Sequence, residues 1–191
     1  MADKAAFRAK WKEKEEKIPE QQRVESDIHL QYKFLCLPQV TRSNTVMLYL
    51  GMGCEVDTRL ILDQLYRQGR RLVLPRCLPG RHMEGRHYHP DRLMRHRYGM
   101  WEPDDSCPVV DKREIEVILV PALCYDHDCF RMGRGGGYYD RYLADYSGFT
   151  VGLCRDVMLQ EQIPRDEWDI AVDLVLTQTR KMERKTTNPS V

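Results

Sequence analysis

Two arginines stand inside a glycine cluster, Arg131-Met132-Gly133-Arg134-Gly135-Gly136-Gly137, and Tyr138, Tyr139 and Asp140 follow it. Glycine lets a backbone approach a ligand closely and take positive φ without steric cost. Guanidinium groups beside bare backbone N–H groups bind phosphate through charge-assisted hydrogen bonds. The chemistry on offer is therefore the holding of an anion, most simply a phosphate. This is not a Walker A loop, because no Gly-Lys-Ser/Thr follows, and a G-x-G-x-x-G reading starting at Gly133 breaks at Tyr138. A flexible surface loop is the plain alternative. The two arginines, and an aspartate on the segment that follows, favour the anion site. No evident Ser–His–Asp or Cys–His signature accompanies it.

Such a loop needs a strand before it and a helix after it. Val117–Val120, closed by Pro121, reads as the strand, and residues 138–144 as the helix; an acidic turn with Asp126 and Asp128 lies between. Val46–Leu50 and Leu72–Leu74 read as buried strands, the second ended by Pro75. A helix capped by Asp57 or Thr58 and stopped at Gly69 joins them. Strand–helix–strand at this spacing is a βαβ unit, which implies a parallel sheet. Phe149–Leu153 and Leu174–Thr177 supply further strands. The expected fold is one α/β domain over residues 1–191: three layers, a mainly parallel twisted sheet and helices on both faces. Ligands in such sheets bind beyond the carboxyl ends of strands, and the loop Gly51–Val56 is one such end.

Residues 1–38 read as an N-terminal helical segment. Phe7 and Trp11 fall four apart and can pack on one side. The mixed-charge run Lys10–Lys17 reads as a solvated face, and so, taken alone, do Lys4 and Arg8. Val24, Ile28, Tyr32 and Leu35 form a stripe that reads as core. Residues 76–108 are polar and turn-rich, with His82, His87, His89, His96 and Arg81, Arg86, Arg92, Arg95, Arg97. His87 and His89 would share a strand face and His82 could join them around a metal. No thiol or carboxylate completes that set at a persuasive spacing, so a solvated loop is the favoured reading. The arginines could meet an anionic ligand tail, with a soluble rim as the plainer explanation. Residues 181–191 read as a frayed polar tail.

With 191 residues, 42% hydrophobic and 31% charged, the chain can bury a sizeable core. A net charge of +1 gives no whole-protein field for nucleic acid. No apolar run is long enough to cross a membrane, and no secretory leader is expected. The seven cysteines include no C-x-x-C pair, which points to reduced thiols in a cytoplasm.

The run Arg131 to Arg141, RMGRGGGYYDR, resembles the signature of the 5-formyltetrahydrofolate cyclo-ligase family, also called methenyltetrahydrofolate synthetases. Further pieces match in order over roughly residues 4–177. The resemblance implies an ATP- and Mg²⁺-dependent conversion of 5-formyltetrahydrofolate, and possibly its polyglutamates, to 5,10-methenyltetrahydrofolate. In the implied chemistry the formyl oxygen takes the γ-phosphoryl group, then N10 attacks the activated carbon and expels phosphate. ATP would meet Lys4, Arg8 and the loop Arg131, Met132, Gly133, Arg134, Gly135, Gly136, Gly137, Tyr138 and Tyr139, with Arg134 and Arg131 carrying phosphoryl charge. The folate would meet Leu50, Met52, Glu55, Tyr98, Arg134 and Tyr138. Asp140 and Asp169 would stand near magnesium. A cytoplasmic monomer without nucleic-acid or membrane partners is expected. Another nucleotide- or phosphosugar-using α/β enzyme, or a non-catalytic nucleotide- or RNA-binding relative, is the alternative. Two positions depart from the family's usual glycine, Ala122 and Cys129, and would strain the backbone if either needs positive φ.

Overall fold

The computed structural model describes residues 3–97 and 99–185. Helices α1 (Lys4–Glu16), α2 (Glu20–Leu35) and α3 (Pro38–Arg42) come first. Then follow β1 (Thr45–Met47), α4 (Arg59–Arg67), β2 (Arg71–Leu78), β3 (His82–His87), β4 (Leu93–Arg95), β5 (Trp101–Pro103) and β6 (Val109–Val110). The second half holds β7 (Val117–Val120), β8 (Cys124–Tyr125), β9 (Arg131–Met132), α5 (Tyr138–Leu143), β10 (Phe149–Leu153), β11 (Leu174–Leu176) and β12 (Lys181–Glu183). The main sheet has eight strands in the order β12-β11-β10-β7-β1-β2-β3-β6. Its centre, β11 to β2, is parallel; β12 and β3 run antiparallel to it at the two margins, and β6 pairs antiparallel with β3.

Side chains alternate across a strand, and here each face has its own core. Val46, Leu48, Leu72, Leu74, Val117 and Leu119 point to one side, where Leu30 and Phe34 of α2, Val40 of α3 and Ile61 and Leu65 of α4 meet them. Met47, Val73, Ile118 and Val120 point to the other, with Trp11 of α1 and Tyr142 and Leu143 of α5. This is the expected three-layer α/β arrangement. Phe7 packs on Trp11 with ring centroids 5.8 Å apart.

Four readings of the sequence need correction. Pro75 does not end β2, which runs on to Leu78. Leu48 N–H bonds Val73 O while Tyr88 N–H bonds Leu72 O, so odd positions of β2 face β1. Pro75 therefore lacks its N–H on the side that β1 has already left, where a proline is tolerated. The stripe on α2 is not core: Val24, Ile28 and Tyr32 are exposed. The buried stripe is Asp27, Leu30, Gln31 and Phe34. Much of residues 76–108 is strand rather than solvated loop, and among the described residues no group of three or more His, Cys, Asp or Glu could hold a metal ion. Of the tail read as frayed, residues 181–183 form the antiparallel edge strand β12, and residues 186–191 lie outside the described residues.

The acidic turn has a clear design. Asp126, fully buried, accepts N–H groups from Asp128, Phe130 and Ile163 and pairs with Arg165 at 2.7 Å. Cys129 in this turn sits at φ +68, so the position does require the conformation that glycine adopts freely. Ala122 does not.

Candidate functional site: a cleft across the carboxyl ends of the sheet

A cavity of about 870 Å³ opens where β1, β2 and β7 end. It lies where open parallel sheets bind ligands, and its volume is at the upper end for small-molecule sites. The glycine loop 133–137 forms one wall, with Arg131, Tyr138, Tyr139 and Asp140 beside it. Leu50, Met52 and Glu55 form another, and Lys4, Arg8 and Asp169 close the cleft from the α1 side. Every site residue expected from the sequence except Tyr98 thus lines one space. Tyr98 lies outside the described residues.

The loop is built for close approach. Gly135 has φ +96, and a Cβ there would stand 3.0 Å from the Arg8 guanidinium carbon. Arg8 Nε in turn donates to Gly133 O at 2.9 Å, so α1 and the loop hold each other. The helix after the loop, α5, has only six residues. Its dipole is correspondingly short, and the anion-holding capacity rests on the loop and its arginines.

Charges around the cleft are paired across long sequence distances. Lys4 Nζ binds Asp166 at 2.7 Å and also Asp169. Burial alone would lower its pKa, but the two carboxylates outweigh burial and hold the ammonium above its ordinary value. Arg131, its side chain 4% exposed, pairs with Asp140 at 2.9 Å and donates to Ile170 O at 3.1 Å. Asp140 also accepts the Ile170 N–H at 3.4 Å. Asp140 and the Asp169–Ile170 backbone therefore meet at one corner.

Arg134 bridges the cleft's two halves. Its Nε donates to Glu55 Oε1 at 2.6 Å, and its Nη2 stands 3.4 Å from Glu15 Oε2. Glu55 is also bound within its own loop, accepting the Met52 N–H at 2.8 Å. Gly51 is required there, since a Cβ would lie 2.6 Å from Val56 O. Arg155 fixes the same loop from below, donating to Cys54 O at 2.7 Å and Glu55 O at 3.2 Å while pairing with Asp27 through two 2.9 Å hydrogen bonds. Cys77, also on the wall, is no nucleophile: burial and the Glu102 carboxylate push its thiol up to about 12.

Sequence reasoning missed Glu15, Arg155, Asp27 and Asp166. Glu15 belongs to the run read as a solvated face, yet its side chain is only 5% exposed because α1 turns it under Arg134. Burial raises its pKa to about 7; Arg134 opposes this and Glu55 reinforces it. A carboxyl raised on folding contributes stability that is present below its ordinary pKa of 4.5 and is lost as pH climbs through about 7. Glu15→Gln should therefore leave stability near pH 4 almost unchanged and raise it at pH 8 by about 1–3 kcal/mol. Urea unfolding at the two pH values measures this, and equal shifts at both would show that Glu15 carries no titrating charge.

A mainly parallel sheet, a glycine–arginine loop and a cleft lined by both cations and carboxylates define an α/β protein with a candidate site for a charged ligand. The comparisons with known proteins narrow this. A family model for the 5-formyltetrahydrofolate cyclo-ligase family matches residues 1–178, and the chain belongs to that family. The 5-formyltetrahydrofolate cyclo-ligase of Escherichia coli strain K12 is 32% identical over 172 residues, covering 86% of this chain and 94% of its own length. The mouse enzyme of the same name is 28% identical, with 91% and 92% covered. The solution structure of Aquifex aeolicus 5,10-methenyltetrahydrofolate synthetase superposes with a TM-score of 0.84 at 28% identity, covering 94% of this chain and 92% of that one.

Proposed function

We infer that this protein converts 5-formyltetrahydrofolate to 5,10-methenyltetrahydrofolate, using ATP and Mg²⁺. The observation that carries the reading is the Arg134 bridge: one guanidinium joins the phosphate-type loop to the glutamate of the heterocycle wall, so two ligands can meet across it. Family membership supports the same reaction. Transfer of the γ-phosphoryl group to the formyl oxygen turns a poor leaving group into phosphate. Attack by N10 on the same carbon then closes the ring, expels phosphate and releases the N10 proton. The chain's task is to align N10, formyl carbon and phosphorus, and to offset charge as it moves.

The residues present suit both ATP and magnesium. Arg8 and Arg141 line the cleft beside the loop, bound only to the backbone carbonyls of Gly133 and Gly137 among the described residues, so their charge is available to a phosphate. The Tyr139 hydroxyl is buried with no hydrogen-bond partner among the described residues, so it can donate to a ligand. Two carboxylates, Asp140 and Asp169, suit an ion that takes most of its ligands from phosphate and water. Bound there, Mg²⁺ would neutralise phosphate oxygens. Glu55 accepts hydrogen bonds from pterin N–H groups, Leu50 and Met52 cover the ring, and Arg134 takes charge developing on the transferred group. The seven free thiols support a reducing, cytoplasmic setting.

Mixing the protein with 5-formyltetrahydrofolate and Mg-ATP should produce the methenyl absorbance with one phosphate released per ring closed; no absorbance change would overturn the reading. Asp140→Asn should raise the Mg²⁺ concentration for half-maximal rate by about tenfold, since a carboxylate ligand contributes on the order of 1.5 kcal/mol. The amide oxygen still accepts from Arg131, so folding survives. An unchanged Mg²⁺ titration would make Asp140 a partner of Arg131 only.

A further inference from the structure

Five arginines crowd residues 81–97, and the fold sorts them. Arg86 is tied to Glu84 at 2.6 Å and to the carbonyls of Asp105 and Cys107, and Arg92 to Ser106. Of the five, only Arg81 lines the cleft. It stands on the turn between β2 and β3, it is exposed, and it makes no hydrogen bond or ion pair among the described residues. Its backbone is held at φ +62, directly after Gly80 at φ +73. A non-glycine residue at positive φ on a ligand-facing turn is strained, and such strain gathers where the side chain has work to do.

The wall leading to Arg81 is apolar. Cys77, Met83, Met100 and Trp101 line it, and no carboxylate stands among them. Trp101 is half exposed to the cleft, and its neighbour Glu102 anchors the segment by accepting the Cys77 N–H at 3.0 Å. An apolar shelf ending in an unpaired guanidinium fits a ligand with a flat ring followed by a carboxylate. If the functional reading above holds, the folate has such an end: the aminobenzoyl ring and its glutamate.

We propose that Arg81 is a specificity-determining residue that binds the glutamate carboxylates of the folate, with Trp101 and Met100 carrying the aminobenzoyl ring toward it. A guanidinium meeting a carboxylate is a bidentate, charge-assisted pair. At a half-exposed rim its worth lies at the low end of such bonds, about tenfold in affinity.

The test is a two-by-two cycle of wild type and Arg81→Gly against 5-formyltetrahydrofolate and its tail-less analogue, 5-formyltetrahydropteroate. Glycine accepts the φ of this position, so the variant should fold with a Tm no lower than wild type. Arg81→Asn, which also tolerates the left-handed conformation, serves as a second variant. The expected result is a roughly tenfold fall in kcat/KM for the tailed substrate, carried by KM, and a change of less than about twofold for the tail-less one. Equal changes for both substrates, or none, would overturn the proposal while leaving the reaction assigned. Failure of wild type to turn over 5-formyltetrahydrofolate at all would overturn the functional reading and the proposal together.

Discussion

Arg155→Met should lower the unfolding free energy by about 3–5 kcal/mol, the cost of stranding one member of a buried ion pair. The Arg155 side chain is 2% exposed and that of Asp27 9%. Burial already raises the Asp27 carboxyl above its ordinary value, with the Asp57 N–H and Arg155 opposing it. Without Arg155 the carboxyl rises further. A raised carboxyl loses stability as pH climbs, so the deficit of the variant should be larger at pH 8 than at pH 5. In molecules that do fold, the carbonyls of Cys54 and Glu55 lose their donor, so folate affinity should fall as well. Adding Asp27→Leu should recover much of the stability, because an apolar pair fills the space without a stranded charge, but not the folate affinity, because the loop stays untied. Urea unfolding with folate titration separates the two. A loss below 1 kcal/mol in the single variant would mean that the pair is hydrated in solution.

Arg134→Ala should cost about 10- to 100-fold in kcat/KM toward both ATP and 5-formyltetrahydrofolate. The resemblance implies that Arg134 meets both ligands. The geometry supports an effect on both, because the same guanidinium holds Glu55 on the opposite wall of the cleft. Its removal also leaves two buried carboxylates, Glu15 and Glu55, without their shared cation. Burial already raises the Glu15 carboxyl and Arg134 opposes that rise, so Glu15 should take up a proton in the variant, which should be least impaired at low pH. Arg134→Lys keeps a charge but cannot reach both acids in one plane, and should recover only part of the loss. Steady-state kinetics with each substrate varied in turn, on protein shown to be folded, decides this. An unchanged kcat/KM for both substrates would remove Arg134 from the reaction.

What could be read from the sequence depended on how each element earns its place. Val117–Val120 and Phe149–Leu153 are strands with the expected bounds, and the first, covered on both faces, is written as a short uninterrupted apolar run. The loop 131–137 was legible because its composition is itself the mechanism. Helix α2 misled because its exposed apolar stripe, Val24, Ile28 and Tyr32, runs directly beside its buried one. The inward one contains Ser26, Asp27 and Gln31, polar residues that a hydrophobicity pattern assigns to water. Ser26 is inside because its hydroxyl is bonded by Gln22 O and the Gln178 amide, and Asp27 because Arg155 is there to meet it. Such pairs, here 128 residues apart, leave no local trace. For the same reason Arg155 and Glu15 could not be told from ordinary surface charges. Arg81 could be seen only as one basic residue in a crowd, until the turn between two strands picked it out.

The clamp on the first turn of α1 has a consequence for how the molecule is made. Lys4 leaves the ribosome well before its partner Asp166, which lies 162 positions later in the chain. At typical elongation rates of 5–20 residues per second, about 8–30 s separate the two. Until Gly133 emerges, 125 positions after Arg8, the helix that carries Lys4 and Arg8 has neither the loop nor the acids it will clasp. The cleft therefore closes late, and a nascent chain that stops short of Asp166 would hold β1 to β10 without the acids that clasp Lys4.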